Sequence, residues 1–467
     1  MIDTKTIKDR ILSFAYQGKL IERNSPPNDC LESIHGRIKG YVSVSEEECL
    51  IDAPEEWKWT RLGYVTSNHG QVTPGDTFSY IDVGTLDNVN HRLSASENIV
   101  EANDAPSRAK KVVETGDVIY STVRPYLHNI CIIDKDFSCT PIASTAFCVM
   151  HANEEVLDNK YLFYWLLTKE FDKYSNGDPS KGALYPAIGE KDLLKGVIPL
   201  PTVIEQKAIV EKIEAIFEIL DKIKTMQKQF ASNQESLKSK LIDIAIQGQL
   251  TKQLPEDGTT KDLIQLINKE RKIQEDKGTI KHVDSQQLID DDEIPFEIPP
   301  NWEWVRFGDV SYIVRGGSPR PIKQYITNDE NGINWIKIGD VEKGGKYILE
   351  TKEKIIPEGE KKSRRVYPGD FLLTNSMSFG RPYISKIEGC IHDGWLLIHD
   401  LKGFDQDYLY YLLSSEFIYN QFTQKASGST VDNLNIDKVS SAIIPLPPLA
   451  EQKRIAKKIE ELLQYCK

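Results

Sequence analysis

The chain has 467 residues, 40% of them hydrophobic and 27% charged, which is more than one ordinary core holds and predicts about two to four globular units. The net charge of −12 excludes a protein that coats nucleic acid indiscriminately, but not a local cationic footprint built from a few phosphate contacts. The most apolar run, YLFYWLL at 161–167, is far too short for a bilayer, and the start, MIDTKTIKDRILSF, has no signal-peptide core. The seven cysteines (Cys30, Cys49, Cys131, Cys139, Cys148, Cys390 and Cys466) form no CxxC and leave one over, so a reduced, cytoplasmic protein is expected.

In chain order, a helical segment comes first (1–22), containing TIKDRILSFAYQGKL at 6–20. An arm and a globular domain follow (23–200), in which short β-branched and aromatic runs (YIDVGTL, DVIYSTV, ICIID, TAFCVM) alternate with turn residues and a helical apolar period covers 157–171. A long helix spans 201–252, with Pro199 and Pro201 outside its start and Gly248 near its end. Ile209, Ile216, Ile223, Phe230, Leu237 and Ile244 recur by sevens, with Ile213, Leu220, Gln227, Gln234 and Leu241 as the companion row. That heptad seam predicts a coiled coil roughly 70 Å long. A second arm and domain occupy 253–446, with a short helix at 261–275 and a helical period at 405–422. A last helical segment, 447–467, closes the chain.

The two halves repeat each other. IDAPEEWKWTRLGYV (51–65) matches FEIPPNWEWVRFGDV (296–310), pairing Pro54, Trp57, Trp59, Arg61 and Gly63 with Pro299, Trp302, Trp304, Arg306 and Gly308. VVETGDVIYSTVRPYLHN (112–129) matches RVYPGDFLLTNSMSFGRPYIS (365–385). YLFYWLL matches YLYYLLS (408–414), and each is followed by IPLP…EQK. The long helix is itself duplicated in two pieces: its first half recurs at the C-terminus and its second half, SLKSKLIDIAIQGQL, at the N-terminus. Its partner is therefore expected to be antiparallel and built from both chain ends, with Ile455, Ile459 and Leu462 from one and Ile7, Ile11 and Phe14 from the other. In projection Lys467 falls at 221 and Met1 at 231, which puts Gln227 and Gln234 beside a gap.

No catalytic motif is present. GxxxxGK[ST], HExxH, a metal-grade Cys/His cluster, a Rossmann glycine fingerprint and [DN]PP[YF] are all missing. Ser107-x-x-Lys110 is a chance spacing whose counterpart lacks the lysine, and His69, His128 and His392 read as isolated. No catalytic or metal-binding residue is assigned.

Cationic loops recur instead. SRAKK (Ser107, Arg108, Lys110, Lys111) and KKSRR (Lys361, Lys362, Ser363, Arg364, Arg365) each precede a Gly-Asp pair. Strands with polar side chains follow: Ser121, Thr122, Arg124, Tyr126 and Asn129 in one copy, and Thr374, Asn375, Ser376, Ser378, Arg381 and Tyr383 in the other. RGGSPRP adds Arg315, Ser318 and Arg320 opposite NHGQVTP (68–74). A third pair, DPSKGAL and KASGSTVDN, adds Lys181, Ser429 and Thr430. Arg and Asn read base edges, and Ser, Thr and Lys hold phosphates. A charged turn is usually only a solvated one, but its recurrence at one topological position points to nucleic-acid contact.

These repeated words, in this order and twice over nearly the whole chain, resemble the specificity (S) subunit of type I restriction–modification enzymes. The resemblance implies an α+β (α/β-like) protein with two target-recognition domains on antiparallel coiled-coil helices, in a pseudo-twofold, circular arrangement. Each domain would read half of a bipartite, asymmetric double-stranded DNA site. Two methylation (M) subunits would dock on the helices, and restriction (R) subunits would join them. AdoMet, ATP and Mg would belong to those partners, and this chain would bind no cofactor. The chain departs from the pattern in lacking a GGSPRP equivalent in its first domain and in its short C-terminal helical copy. A coiled-coil scaffold with two protein-binding domains, and an enzyme with an unrecognised site, are the competing readings.

Overall fold

In the computed structural model, residues 1–22, 29–177, 187–342, 344–375, 379–424 and 434–466 are described, with backbone only at 29, 30 and 424. The fold is α+β and divides into two compact units, Met1–Gln229 and Phe230–Lys467. No helix among the described residues is long and apolar enough to cross a membrane.

In the first unit, Lys58–Arg61 pairs antiparallel with Val197–Leu200, joining the entry and exit of the domain. Between them lie two four-stranded sheets. One has the order Ile99–Val100, Phe78–Ile81, Thr140–Ser144, Ala109–Val112 and is parallel only at its central pair. The other, wholly antiparallel, has the order Thr66–Ser67, Phe147–Ala152, Val118–Ser121, Ile130–Ile132. Alternation along Val118–Ser121 splits the core: Val118 and Tyr120 meet Tyr161, Leu162 and Trp165, while Ile119 meets Phe147, Val149 and Ala143. Both faces of this sheet are therefore buried.

The second unit repeats the plan. Glu303–Arg306 pairs with Ile443–Leu446, and each sheet has five strands. The first runs Ser311–Arg315, Trp395–Asp400, Phe371–Thr374, Pro382–Ser385, Tyr347–Ile348, and the second Ile326–Thr327, Glu353–Ile355, Ile333–Ile336, Gly389–Ile391, Arg364–Val366.

The repeated sequence words turn out to be frame. Trp57 and Trp302 are buried. Arg61 bridges Glu48 and the Lys195 carbonyl, as Arg306 bridges Glu293 and the Ser441 carbonyl. A Cβ on Gly308 would lie 2.7 Å from Ser440 Cβ. The Gln of each EQK is fully buried. Gln206 donates to the Val156 and Pro201 carbonyls and accepts from Asp158 N. Gln452 donates to the Gly403 and Pro447 carbonyls and accepts from Asp405 N. The QG words are C-caps: Gly18 and Gly248 have φ of 67° and 75°, the left-handed cap that glycine adopts without penalty.

Three expectations are corrected. The helical periods 157–171 and 405–422 are each two helices, Asn159–Leu166 with Lys169–Asn176 and Gln406–Ser414 with Glu416–Gln424. The breaks fall at Thr168 and Ser415, whose hydroxyls cap the second helices by accepting from Phe171 N and Ile418 N.

The seam of the long helix, Val203–Ile246, is buried only near its start, at Ile209, Ile213 and Leu220, whereas Phe230, Leu237 and Ile244 are exposed. The N-terminal helix, Thr4–Tyr16, buries Leu12, Ala15 and Tyr16, with Ile7 and Ile11 only partly covered and Phe14 exposed. Lys8 pairs with Asp221 at 2.7 Å. The Gln227 amide, oriented to satisfy both groups, bonds the backbone of Ile2, so that seam glutamine has a partner. In the second unit Ile455, Ala456 and Ile459 of Leu449–Leu463 share a core with Ala245 and Ile246.

Candidate nucleic-acid interface

Both cationic runs lead into the edge strand of the equivalent sheet: Ala109–Val112 beside Thr140–Ser144, and Arg364–Val366 beside Gly389–Ile391. Strand alternation decides which cations face out. Arg108 and Lys110 are exposed, whereas Lys111 is buried and paired with Glu190 at 2.7 Å. Lys361, Lys362 and Arg364 are exposed, whereas Arg365 bridges Glu360 and Glu388 at 2.9 and 2.6 Å, and the Glu388 hydrogen bond raises its pKa. Arg108, Lys110, Lys361 and Arg364 form no ion pair with any described residue.

The polar loops converge on the turn that carries the chain from one sheet to the other. In the first domain this turn is 144–146: Thr145 N donates to the Arg108 carbonyl, and Thr122 N and Oγ1 both donate to the Ala146 carbonyl. Arg124 and His128 lie in the left-handed region with φ of 52° and 51°, a conformation that costs non-glycine residues and clusters at functional loops. Tyr126 is half-exposed between them, and Ser107 is exposed.

In the second domain the turn is 392–394 and its hub is Asp393. The Asp393 carboxylate accepts from Ser318 Oγ at 2.7 Å and Arg320 Nη2 at 3.3 Å, and its carbonyl from Arg315 Nε and Asn375 Nδ2. The Ser318 hydrogen bond is the main reason its pKa lies below the usual carboxylate range. Ser363 Oγ donates to the neighbouring Ile391 carbonyl. A Cβ on Gly316 would overlap the His392 carbonyl, and one on Gly317 would lie 2.9 Å from the Lys362 carbonyl. The glycines of RGGSPRP therefore let that loop lie against both the turn and the KKSRR run. Beside it opens a cleft of about 1120 Å³, with Arg320 and Lys323 at its mouth and Trp335, Ile326 and Ile338 in its lining. Arg320 is 81% exposed, and Lys362 lies over the Tyr325 ring.

The expectation of ligand-facing side chains is corrected for the buried Lys111, Ser121, Asn129, Thr374, Asn375 and Tyr383. They brace the loops: Ser121 Oγ bonds the Val123 carbonyl, and Thr374 Oγ1 accepts from Arg381 N. Burial raises the Tyr383 pKa, and Arg381 is half-buried. Lys181, Ser376, Ser378, Ser429 and Thr430 lie outside the described residues. Their described neighbours Ile188 and Leu434 donate to the Thr122 and Asn375 carbonyls, so both third loops rejoin the chain at this site.

The histidines are not isolated either. His128 meets Asp172 at 2.7 Å. The two ring nitrogens of His392 lie 3.1 and 2.9 Å from the Ile338 and Gly394 amides, and the neutral ring accepts from one of them at a time; burial lowers its pKa despite the adjacent Asp393. His69 sits with His151 and Asp117. The sequence reading missed the Asp393 hub and the His69 cluster because their members are distant in sequence. The one local signal was the histidine next to the end of the same strand in both copies, His151 and His399.

Two copies of one frame, each presenting a different set of cations at the same edge, define a bivalent DNA reader. The family model described as the type I restriction modification DNA specificity domain matches residues 56–230 and 299–466. The chain belongs to this family: it is a DNA-recognition subunit with two target-recognition domains.

The EcoAI specificity subunit of Escherichia coli is 20% identical over 99% of this chain and 89% of its own length. The EcoDI specificity subunit, also from Escherichia coli, is 26% identical over 53% of this chain and 54% of its own length. Two solved structures are 25% identical. The HsdS subunit of Thermoanaerobacter tengcongensis covers 88% of this chain and 90% of its own, with a TM-score of 0.54. A chain from a type I R-M system studied for its assembly and conformational transition covers 88% and 91%, with a TM-score of 0.65. Specificity subunits are the non-catalytic members of these systems, whose catalytic activities lie on partner subunits.

Proposed function

We propose that each domain reads one half of a bipartite, asymmetric site in double-stranded DNA. The turn at 144–146 and the Asp393 turn would present the reading loops, and the exposed cations of the two edge strands would hold phosphates. The observation that carries this reading is the recurrence of outward cations at one topological position while the rest of each loop differs. Thr122, Arg124 and Tyr126 in one copy, and Arg315, Ser318 and Arg320 in the other, are the base-edge and groove contacts of this proposal.

The helical segments act as the spacer between readers, in a pseudo-twofold, coiled-coil arrangement supported by the two-piece repeat of the long helix. Two methylation subunits dock along them and restriction subunits complete the assembly. The apolar side chains left exposed on the helix, Ile219 and Met226 in one unit and Phe230, Leu237 and Ile244 in the other, suit such docking. AdoMet, ATP and Mg are held by those partners in the cytoplasm, and the chain binds none of them. Mapping modified adenines in a host genome carrying this gene tests the reading. A two-part asymmetric motif with a fixed spacer is expected, and a single uninterrupted or palindromic motif would contradict it.

A further inference from the structure

We propose that His69, Asp117 and His151 of the first domain form a site for one zinc-class divalent cation, which fastens the loop at 68–74 to the central sheet. The donor atoms all lie within 4.8 Å of one another. His69 Nε2 is 3.1 Å from Asp117 Oδ2 and His151 Nδ1 is 2.9 Å from Asp117 Oδ1. Donors each about 2.0–2.1 Å from a tetrahedral zinc are separated by about 3.3 Å, so small side-chain adjustments bring the three onto one ion. The chemistry is borderline-soft, two imidazoles and one carboxylate, which favours zinc over magnesium or calcium.

The surroundings match a metal site. The Glu114 amide donates to Asp117 Oδ2 at 2.8 Å and fixes the carboxylate. The Glu114 carboxylate lies 3.5 Å from His69 Nδ1, the place of the outer carboxylate that orients a metal-bound histidine.

Charge supplies a second, independent observation. Asp117 is 0% exposed and pairs with no Lys or Arg among the described residues; only the two imidazoles and an amide face it. A buried carboxylate without a counter-charge is costly. Binding moves each imidazole proton to the other ring nitrogen and places two positive charges between Asp117 and Glu114.

The second domain is a built-in control. Strand register makes Asp370 and His399 the equivalents of Asp117 and His151, and Tyr367 N donates to Asp370 as Glu114 N donates to Asp117. Ser67 opposes His151 where Tyr312 opposes His399, so the place of His69 falls to Val314. Asp370 is also part-exposed and needs no counter-ion. The consequence is local: the loop behind His69 bonds the cationic strand through Val72 N to the Lys110 carbonyl and Val112 N to the Gly70 carbonyl. A bound ion therefore stiffens the edge that carries Lys110.

The untagged full-length chain, stripped with chelator and then equilibrated with Zn²⁺, is assayed by elemental analysis and by Co²⁺ substitution. One equivalent is expected. His151→Gln and His69→Gln should each weaken binding by about tenfold or more, while His399→Gln should leave it unchanged, with melting curves confirming that each variant is folded. Zinc should slow amide hydrogen exchange across 68–72. Anomalous scattering at the zinc edge locates the ion without any variant. Failure to bind zinc, equal binding by wild type and His151→Gln, an ion at another site, or unchanged exchange at 68–72 would overturn the proposal.

Discussion

The loop that follows the first strand of the main sheet is held differently in the two domains. In the second, 315–320 is tied by direct hydrogen bonds to one aspartate, Asp393. In the first, 68–74 is tied by backbone bonds to the cationic strand and by His69 to the buried Asp117. The frames beneath share the same Arg–Glu bridge and the same buried glutamine bonds. The comparison teaches that the duplication preserved the frame and released both the tether of the loop and what the loop displays, which is what two readers of different half-sites require.

Breaking that comparison starts with the frame. Gln206→Ala and Gln452→Ala should cost about 3 kcal/mol each, because each strands buried backbone groups. Denaturant unfolding should give equal losses, and a large inequality would show that the frames are not equivalent. At the loops the domains should diverge. Gly316→Ala meets the His392 carbonyl and should cost about 2 kcal/mol by overpacking. Gly70→Ala meets nothing within 4 Å and should cost about 1 kcal/mol, only for its positive φ.

Among the cations, neutralising Lys361 and Arg364 together should lower the salt slope of DNA binding by about 2, and so should Arg108 with Lys110. Arg365→Ala should leave the slope unchanged and cost less than about 1 kcal/mol of stability, its ion pairs being part-exposed.

The smallest effect is in pH. His392 has a lowered pKa, so its neutral form stabilises the fold. That contribution is complete above the ordinary histidine pKa of about 6.5 and is lost as pH falls below it. Ser144 Oγ occupies the equivalent place in the first domain, accepting from Ala146 N as His392 Nδ1 accepts from Gly394 N. Thermal melts from neutral to mildly acidic pH should destabilise wild type more than His392→Ser.

The sequence carried the architecture because the frame is written in words that recur: Trp-x-Trp-x-Arg-x-Gly, Gly-Asp, Glu-Gln-Lys and Gln-Gly. Each word fixes a local geometry, a cap, a close approach or a buried amide, and local geometry survives in a pattern. The orientation of individual cations was less legible. Lys110 and Lys111 are neighbours of one type, and only the pairing of Ala109–Val112 with Thr140–Ser144 decides that one faces out and the other meets Glu190. The helix breaks at Thr168 and Ser415 were hidden because the apolar period continues across them. The long helix misled in the other direction: an unbroken heptad reads as a buried seam, yet Phe230 and Leu237 are exposed.

The central claim is that each domain reads its own half-site. Replacing residues 300–446 with the matching domain of a related subunit, followed by mapping of methylated adenines, tests it most directly. One half of the recognised sequence should change while the other half and the spacer stay the same; a change in both halves, or in neither, would contradict the account.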